Sequence, residues 1–155
     1  DENYYQDFVT ICPEEGEYKL NINNLIDVKD INQRYSDETF DVKVINSKIY
    51  MDYEIYTFDI KNKSENTIRL DSGRDTDNIY LADTEGTKYN ALLHENSEED
   101  LMIEPNETKR ITIKFSNGYQ QRIVIDKIGF RDIVLNYEQY KSGEEANIKE
   151  FEIEL

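Results

Sequence analysis

The chain has 155 residues, enough for one domain with a true core, and its 34 acidic against 18 basic side chains leave a net charge of −16. That charge repels nucleic acid and anionic membrane surfaces, so neither is an expected partner. A single cysteine, Cys12, and a single histidine, His94, exclude an intramolecular disulfide, a cysteine-based zinc centre and a multi-histidine metal site.

Twelve Tyr, six Phe and many Ile give the chain the aromatic and β-branched content that disordered sequences lack. No apolar run approaches the ~20 residues of a membrane-spanning helix, and no basic segment followed by an apolar one opens the chain. Two addresses remain open at this point: the cytosol, or an extracytoplasmic site reached through a targeting segment that has been removed. Val9-Thr10-Ile11 before Cys12 lacks the small side chains of a lipoprotein processing site, so Cys12 is not read as a lipidation point.

Residues 1–37 read as an N-terminal extension. Tyr18, Leu20 and Ile22 alternate with polar residues as in a short strand, whereas Leu25, Val28 and Ile31 fit one or two helical turns. From residue 38 the signal is that of strands. Phe40, Val42 and Val44 share one face; after a turn at Met51-Asp52, Tyr56, Phe58 and Ile60 share another. Lys63-Ser64-Glu65-Asn66 is a turn by composition. Ile79-Tyr80-Leu81, the turn Asp83-Thr84-Glu85-Gly86 and the return strand Lys88 to Leu93 predict a hairpin.

Ser97-Glu98-Glu99-Asp100 has a helix-capping pattern, with room for a turn or two before Pro105. Ile111, Ile113 and Phe115 form the clearest strand. Three further strands are expected at Ile123 to Ile125, Phe130 to Tyr137 and Ile148 to Leu155. The last carries glutamate along its whole outer face and is placed at a solvent-facing edge. About eight short strands without intervening helices predict an all-β, antiparallel sandwich over residues 38–155.

The succession of Lys61-Asn62-Lys63-Ser64, the Asp83-Thr84-Glu85-Gly86 hairpin, and Ile103-Glu104-Pro105-Asn106-Glu107-Thr108 leading into Ile111 to Phe115 resembles a family of extracytoplasmic immunoglobulin-like domains. These domains are found in lipoproteins and membrane-anchored proteins of Gram-positive bacteria. The resemblance covers roughly residues 40–137. It implies an immunoglobulin-like β-sandwich, a cell-envelope or secreted location, and attachment through a removed lipid or membrane anchor. It supplies no catalytic residues. Where the family has Pro-Gly-Glu this chain has Pro105-Asn106-Glu107, and Asn is the non-glycine residue best suited to positive φ.

The functional expectation is a non-catalytic binding or structural module whose ligand is a protein or cell-wall component. No phosphate-cradling glycine loop or nucleophile elbow is present, and His94 beside Glu95 reads as a surface residue. The acidic loop at residues 71–78 is the best single constellation for chemistry. Asp71, Asp75, Asp77 and Asn78 supply hard oxygens of the kind calcium prefers, although the loop lacks the EF-hand spacing and Arg74 offers an internal counter-charge. The alternative function is therefore a calcium-dependent carbohydrate-binding or hydrolytic protein using this loop. Tyr137 and Tyr140, beside Asn136, are candidates for a tyrosine recognition surface. The two glycosylation-type triplets, Asn62-Lys63-Ser64 and Asn106-Glu107-Thr108, are assigned to turn chemistry.

Overall fold

The computed structural model describes residues 25–74, 77–117 and 124–155. Strands β1 (Asp27–Ser36), β2 (Phe40–Ile49), β3 (Tyr53–Asn62), β4 (Ile68–Arg69), β5 (Ile79–Asp83), β6 (Lys88–Asn90), β7 (Met102–Ile103), β8 (Thr108–Ser116), β9 (Ile125–Val134) and β10 (Ile148–Glu154) account for most of them. One short helix, α1 (Tyr137–Lys141), and two 3-10 turns complete the described elements. All strand pairings are antiparallel.

Two sheets result. One runs β1-β2-β3-β8; the other runs β6-β5-β9-β4-β7, with β10 on the free side of β9. Alternation along each strand sets what lies between them. The first sheet contributes Phe40, Val42, Val44, Tyr56, Phe58, Ile60, Ile111, Ile113 and Phe115, and the second contributes Ile79, Leu81, Ile128, Phe130, Phe151 and Ile153. Phe58 meets Phe130 edge-on with centroids 5.9 Å apart, and Phe130 stacks on Phe151 at 5.1 Å. Each fully buried Phe stabilises the fold by about 1.5–3 kcal/mol through burial alone.

The two lateral seams between the sheets differ. On one side β6 reaches β8 through an Ala91–Phe115 bridge and the 2.7 Å bond from the Leu92 amide to the Lys114 carbonyl. On the other, β1 faces β10. There Tyr35 stacks on Phe151 at 3.9 Å and Lys149 pairs with Asp37 at 3.3 Å, which closes the upper part of the seam. Lower down, β1 is interrupted by a bulge between Asp30 and Gln33, with Asn32 at φ 55°.

Several local expectations are met. The β5-β6 turn places Gly86 at φ 90°, and Asn106 takes φ 63° in the Pro105 turn. Asn62 is fully buried in its turn. Its amide donates to the carbonyls of Asn66 (2.7 Å) and Ile103 (3.0 Å), and its oxygen accepts from the Ser64 amide and hydroxyl. Ser97 and Asp100 cap one another, each side chain accepting the other's amide, over the 3-10 turn Glu99–Leu101. β10 buries Phe151 and Ile153 and turns its glutamates outward at the edge of its sheet.

Three expectations change. The boundary drawn at residue 37 cuts through the fold: β1, in the supposed extension, pairs with β2 over eight residue pairs, so Val28 and Ile31 lie in a strand and not in helical turns. The two strands expected at 123–125 and 130–137 meet in one continuous strand, β9, which starts at Ile125, because Ile128 and Phe130 keep the inward face running through Gly129; Ile123 lies outside the described residues. Tyr137 opens helix α1 instead of ending that strand. The part of the expected extension before Leu25, with Tyr18, Leu20, Ile22 and Cys12, lies outside the described residues.

Candidate functional site

The acidic loop connects β4 to β5. Asp71 and Asn78 are both buried, and the Asn78 side-chain amide donates to the Asp71 carboxylate. Asp77 turns the other way and accepts from Arg131 on β9 at 3.4 Å. Asp75 lies outside the described residues. The loop's closest electrostatic association is with a residue the sequence did not single out: Asp132, buried on β9, accepts from the Ser72 hydroxyl and from Arg74 at 3.1 Å. Arg74 also donates through Nε to the Ser72 hydroxyl at 3.2 Å. The loop is thus tied to β9 by its own arginine, which supplies locally the positive charge a bound cation would bring. Among the described residues, no three Asp, Glu, His or Cys side chains converge as a metal-binding group.

Tyr137 and Tyr140 are neighbours on α1, with centroids 6.5 Å apart. Tyr137 is buried, its ring lying under the Arg69 guanidinium at 5.5 Å, so it serves packing more than display. Tyr140 is half-buried. His94 sits in an exposed 3-10 turn, 4.0 Å from Glu95.

A different site emerges from the open seam. Strand β3 turns one face inward, and that face reads Ile60, Phe58, Tyr56, Glu54. The last of these is a carboxylate, only 3% exposed, paired in register with Ile49 on one side and Phe115 on the other. Burial pushes the Glu54 carboxyl above its ordinary range, against the pull of the Tyr56 hydrogen bond and the charge of Lys29. The Tyr56 hydroxyl donates to Glu54 Oε1 at 3.2 Å. Burial, with the nearby Glu54 charge, drives the phenol well above its usual value.

Opposite Tyr56 on β2 stands Ser47. It is fully buried beside Tyr56, close enough to ease the phenol's ionisation slightly. Its position follows from the bulge between Val44 and Asn46: Phe40, Val42 and Val44 point inward, and the extra residue shifts the parity so that Ser47, not Asn46, continues that face.

Ser47 and Tyr56 form the floor of a cavity of about 530 Å³ beneath the β1 edge. Ile31, Val124, Ile125 and Leu155 make its walls, and Lys29, Asp30 and Gln33 belong to the exposed β1 edge beside it. A larger concavity of about 760 Å³ is bounded by Glu98, Glu99, Asp100, Glu104 and Glu107. Its Lys109 is committed at 2.7 Å to the carbonyls of both Glu99 and Met102, and among the described residues it holds no unpartnered buried polar atom. Sequence reasoning recognised Tyr56 as inward-facing but missed Glu54 and Ser47. Extending the β3 alternation by two residues signals the first, whereas the parity shift in β2 has no sequence signature.

No protein-family model matches the chain, and no curated protein matches it. Among solved structures, a functionally unknown protein from Listeria monocytogenes aligns with a TM-score of 0.52 at 11% identity, over 85% of this chain and 86% of that one. A conserved hypothetical protein from Bacillus anthracis aligns with a TM-score of 0.47 at 14% identity, over 79% of this chain and 96% of that one. At such identity the Listeria likeness speaks to the fold alone. The class so defined is an antiparallel, two-sheet β protein.

Proposed function

We propose that the chain is an immunoglobulin-like sandwich acting as a non-catalytic binding or structural module outside the cytoplasmic membrane of a Gram-positive cell, tethered at the envelope or secreted. The strand order carries this reading. Taking β2, β3 and β8 as strands A, B and E, and β5, β9 and β10 as C, F and G, gives A-B-E facing C-F-G, the arrangement of an immunoglobulin sandwich. The motifs at Lys61–Ser64, Asp83–Gly86 and Ile103–Thr108 add their resemblance to the envelope domains and occupy turns in this order. Recognition then falls to loops at the sandwich ends or to an exposed sheet face.

Expression of the complete gene with an epitope tag in a Gram-positive host tests the address. The domain should be digested by protease added to intact cells, and protection until lysis would overturn the envelope reading. The calcium-dependent alternative is separated by a thermal melt in EDTA and then in millimolar calcium, since a ligand that binds only the native state raises its stability. The proposed module shows no shift. An upward shift that disappears in Asp71→Asn and Asp77→Asn would replace it with the calcium-dependent reading of the loop.

A further inference from the structure

We infer that the outward face of the first sheet docks an acidic protein surface. The inference rests on the binding-module reading above and does not use its cellular address.

The strand register lays the side chains of this face out in rows. Arg34, Lys43, Asp59 and Arg110 form one row from β1 to β8, and Val28, Lys48, Ile55 and Lys114 form another. Asp41 and Lys61 stand beyond the first row, and Asp30 lies between the two. With 34 acidic against 18 basic side chains in the chain, counter-charge for every cation is abundant. Yet the two central acids of this face are already committed, Asp59 to the Arg110 guanidinium at 2.7 and 2.8 Å and Asp41 to Lys63 at 3.0 Å. Arg34, Lys43, Lys48 and Lys61 are left without an ion pair among the described residues, and all but the half-buried Lys43 are exposed. This face is therefore cationic on a molecule whose net charge is −16, and charge of one sign gathered on a flat surface selects a partner of the other.

Two features favour a protein over a simple polyanion. Val28 and Ile55 lie among the cations, and at the lower end Tyr50 stacks on Tyr53 at 4.6 Å, with the Lys114 ammonium 4.1 Å from the Tyr53 ring. Tyrosine and arginine beside aliphatic groups are the side chains that anchor protein interfaces. The second feature is the placing of Asp41 and Asp59 within the cationic rows. An unbroken run of phosphates crossing the face would meet both, whereas a protein can set carboxylates over Lys43, Lys48 and Lys61 and neutral groups over the aspartates. The four strands present roughly 600 Å², close to the ~800 Å² that each side of a standard interface buries.

Titration of the intact chain at physiological salt with a random copolymer of glutamate and tyrosine, with poly-L-glutamate and with inorganic polyphosphate, followed by NMR, tests the inference. The copolymer should give saturable shifts at the Val28 and Ile55 methyls and at the β2 and β3 amides. It should bind at least fivefold more tightly than poly-L-glutamate or charge-matched polyphosphate. Lys43→Glu and Lys48→Glu, neither of which breaks an ion pair, should each weaken the copolymer about fivefold. Lys141→Glu on α1 adds the same negative charge and should leave its affinity within twofold. The inference is overturned by copolymer shifts that do not saturate or that centre elsewhere, or by polyphosphate binding as tightly as the copolymer, which would make the face a general anion patch. Equal weakening in Lys141→Glu would also overturn it, by reducing the effect to net charge. So would dimerisation of the free chain that is lost in Lys43→Glu, which would give the face to a second copy. If one lysine variant does not fold, the other and the ranking of the three polymers still decide the matter. The protease test above bears on the address alone, so the two readings fail separately.

Discussion

The two ends of strand β3 face the same interior and have opposite character. Around Phe58 and Ile60 the space between the sheets is apolar: Phe58 lies edge-on to Phe130, Phe130 stacks on Phe151, and the Tyr35–Phe151 stack closes the seam above them. Four residues earlier on the same face, Glu54 and Tyr56 bring a carboxyl and a phenol into the interior, Ser47 adds a buried hydroxyl beside Tyr56, and the seam opens into a cavity. The dry end is organised for stability. The polar end carries a group that lowers it, since burying a carboxyl has a cost.

The largest effect should come from the dry end. Phe58→Ala removes a fully buried ring between the two sheets and should cost about 3–5 kcal/mol, read as a lower urea midpoint with little change in slope. A loss below about 1 kcal/mol would mean that the dry core is not the main support of the fold.

A smaller loss is expected on the outer face of the second sheet, where the Tyr80 ring lies flat over Gly129. A Cβ at that glycine would come within 2.2 Å of the ring, and Tyr80 donates to Glu152 at 2.7 Å. Burial and the Glu152 hydrogen bond push the Tyr80 phenol up to about 12. Gly129→Ala must displace the ring, at about 1–3 kcal/mol, and should lower the phenol's titration midpoint toward the ordinary value of 10 in a spectrophotometric pH titration. An unchanged midpoint would show that the ring moves without losing its partner.

The smallest effect has the opposite sign and comes from the polar end. Because the folded-state pKa of Glu54 lies above its ordinary value of 4.5, the native state holds that proton more tightly than the unfolded chain. Stability therefore falls as pH rises from the unfolded value through the raised folded one, and the full penalty stands above it. Glu54→Gln should be about 1 kcal/mol more stable than the parent at pH 7, with the advantage vanishing below pH 4.5, where the parent carboxyl is protonated in both states. Urea melts of both proteins at the two pH values measure the difference and cancel the contributions of the remaining carboxylates. Destabilisation at pH 7 would mean that Tyr56 and Lys29 hold an ionised Glu54 more firmly than burial opposes it.

Much of the fold was legible in particular residues. The alternations at Phe40–Val44, Tyr56–Ile60, Ile111–Phe115 and Phe151–Leu155 place those strands, and Gly86 and Asn106 mark turns because positive φ selects for them. The candidate chemistry was less legible. The loop aspartates are visible as composition, but that Arg74 and Ser72 fasten to Asp132, some sixty residues away, depends on β9 passing beneath the loop.

By itself the sequence determined the all-β class, the antiparallel turns and the acidic exterior, because periodicity, turn chemistry and charge are local properties. Only the tertiary structure decided that β1 belongs to the sheet, that Tyr137 packs under Arg69, and that Ser47 faces inward with Tyr56 and Glu54 around an open seam. The reason is physical. A bulge reverses which residues of a strand face the core while leaving its composition unchanged, and a cavity is a relation between strands that no single strand encodes.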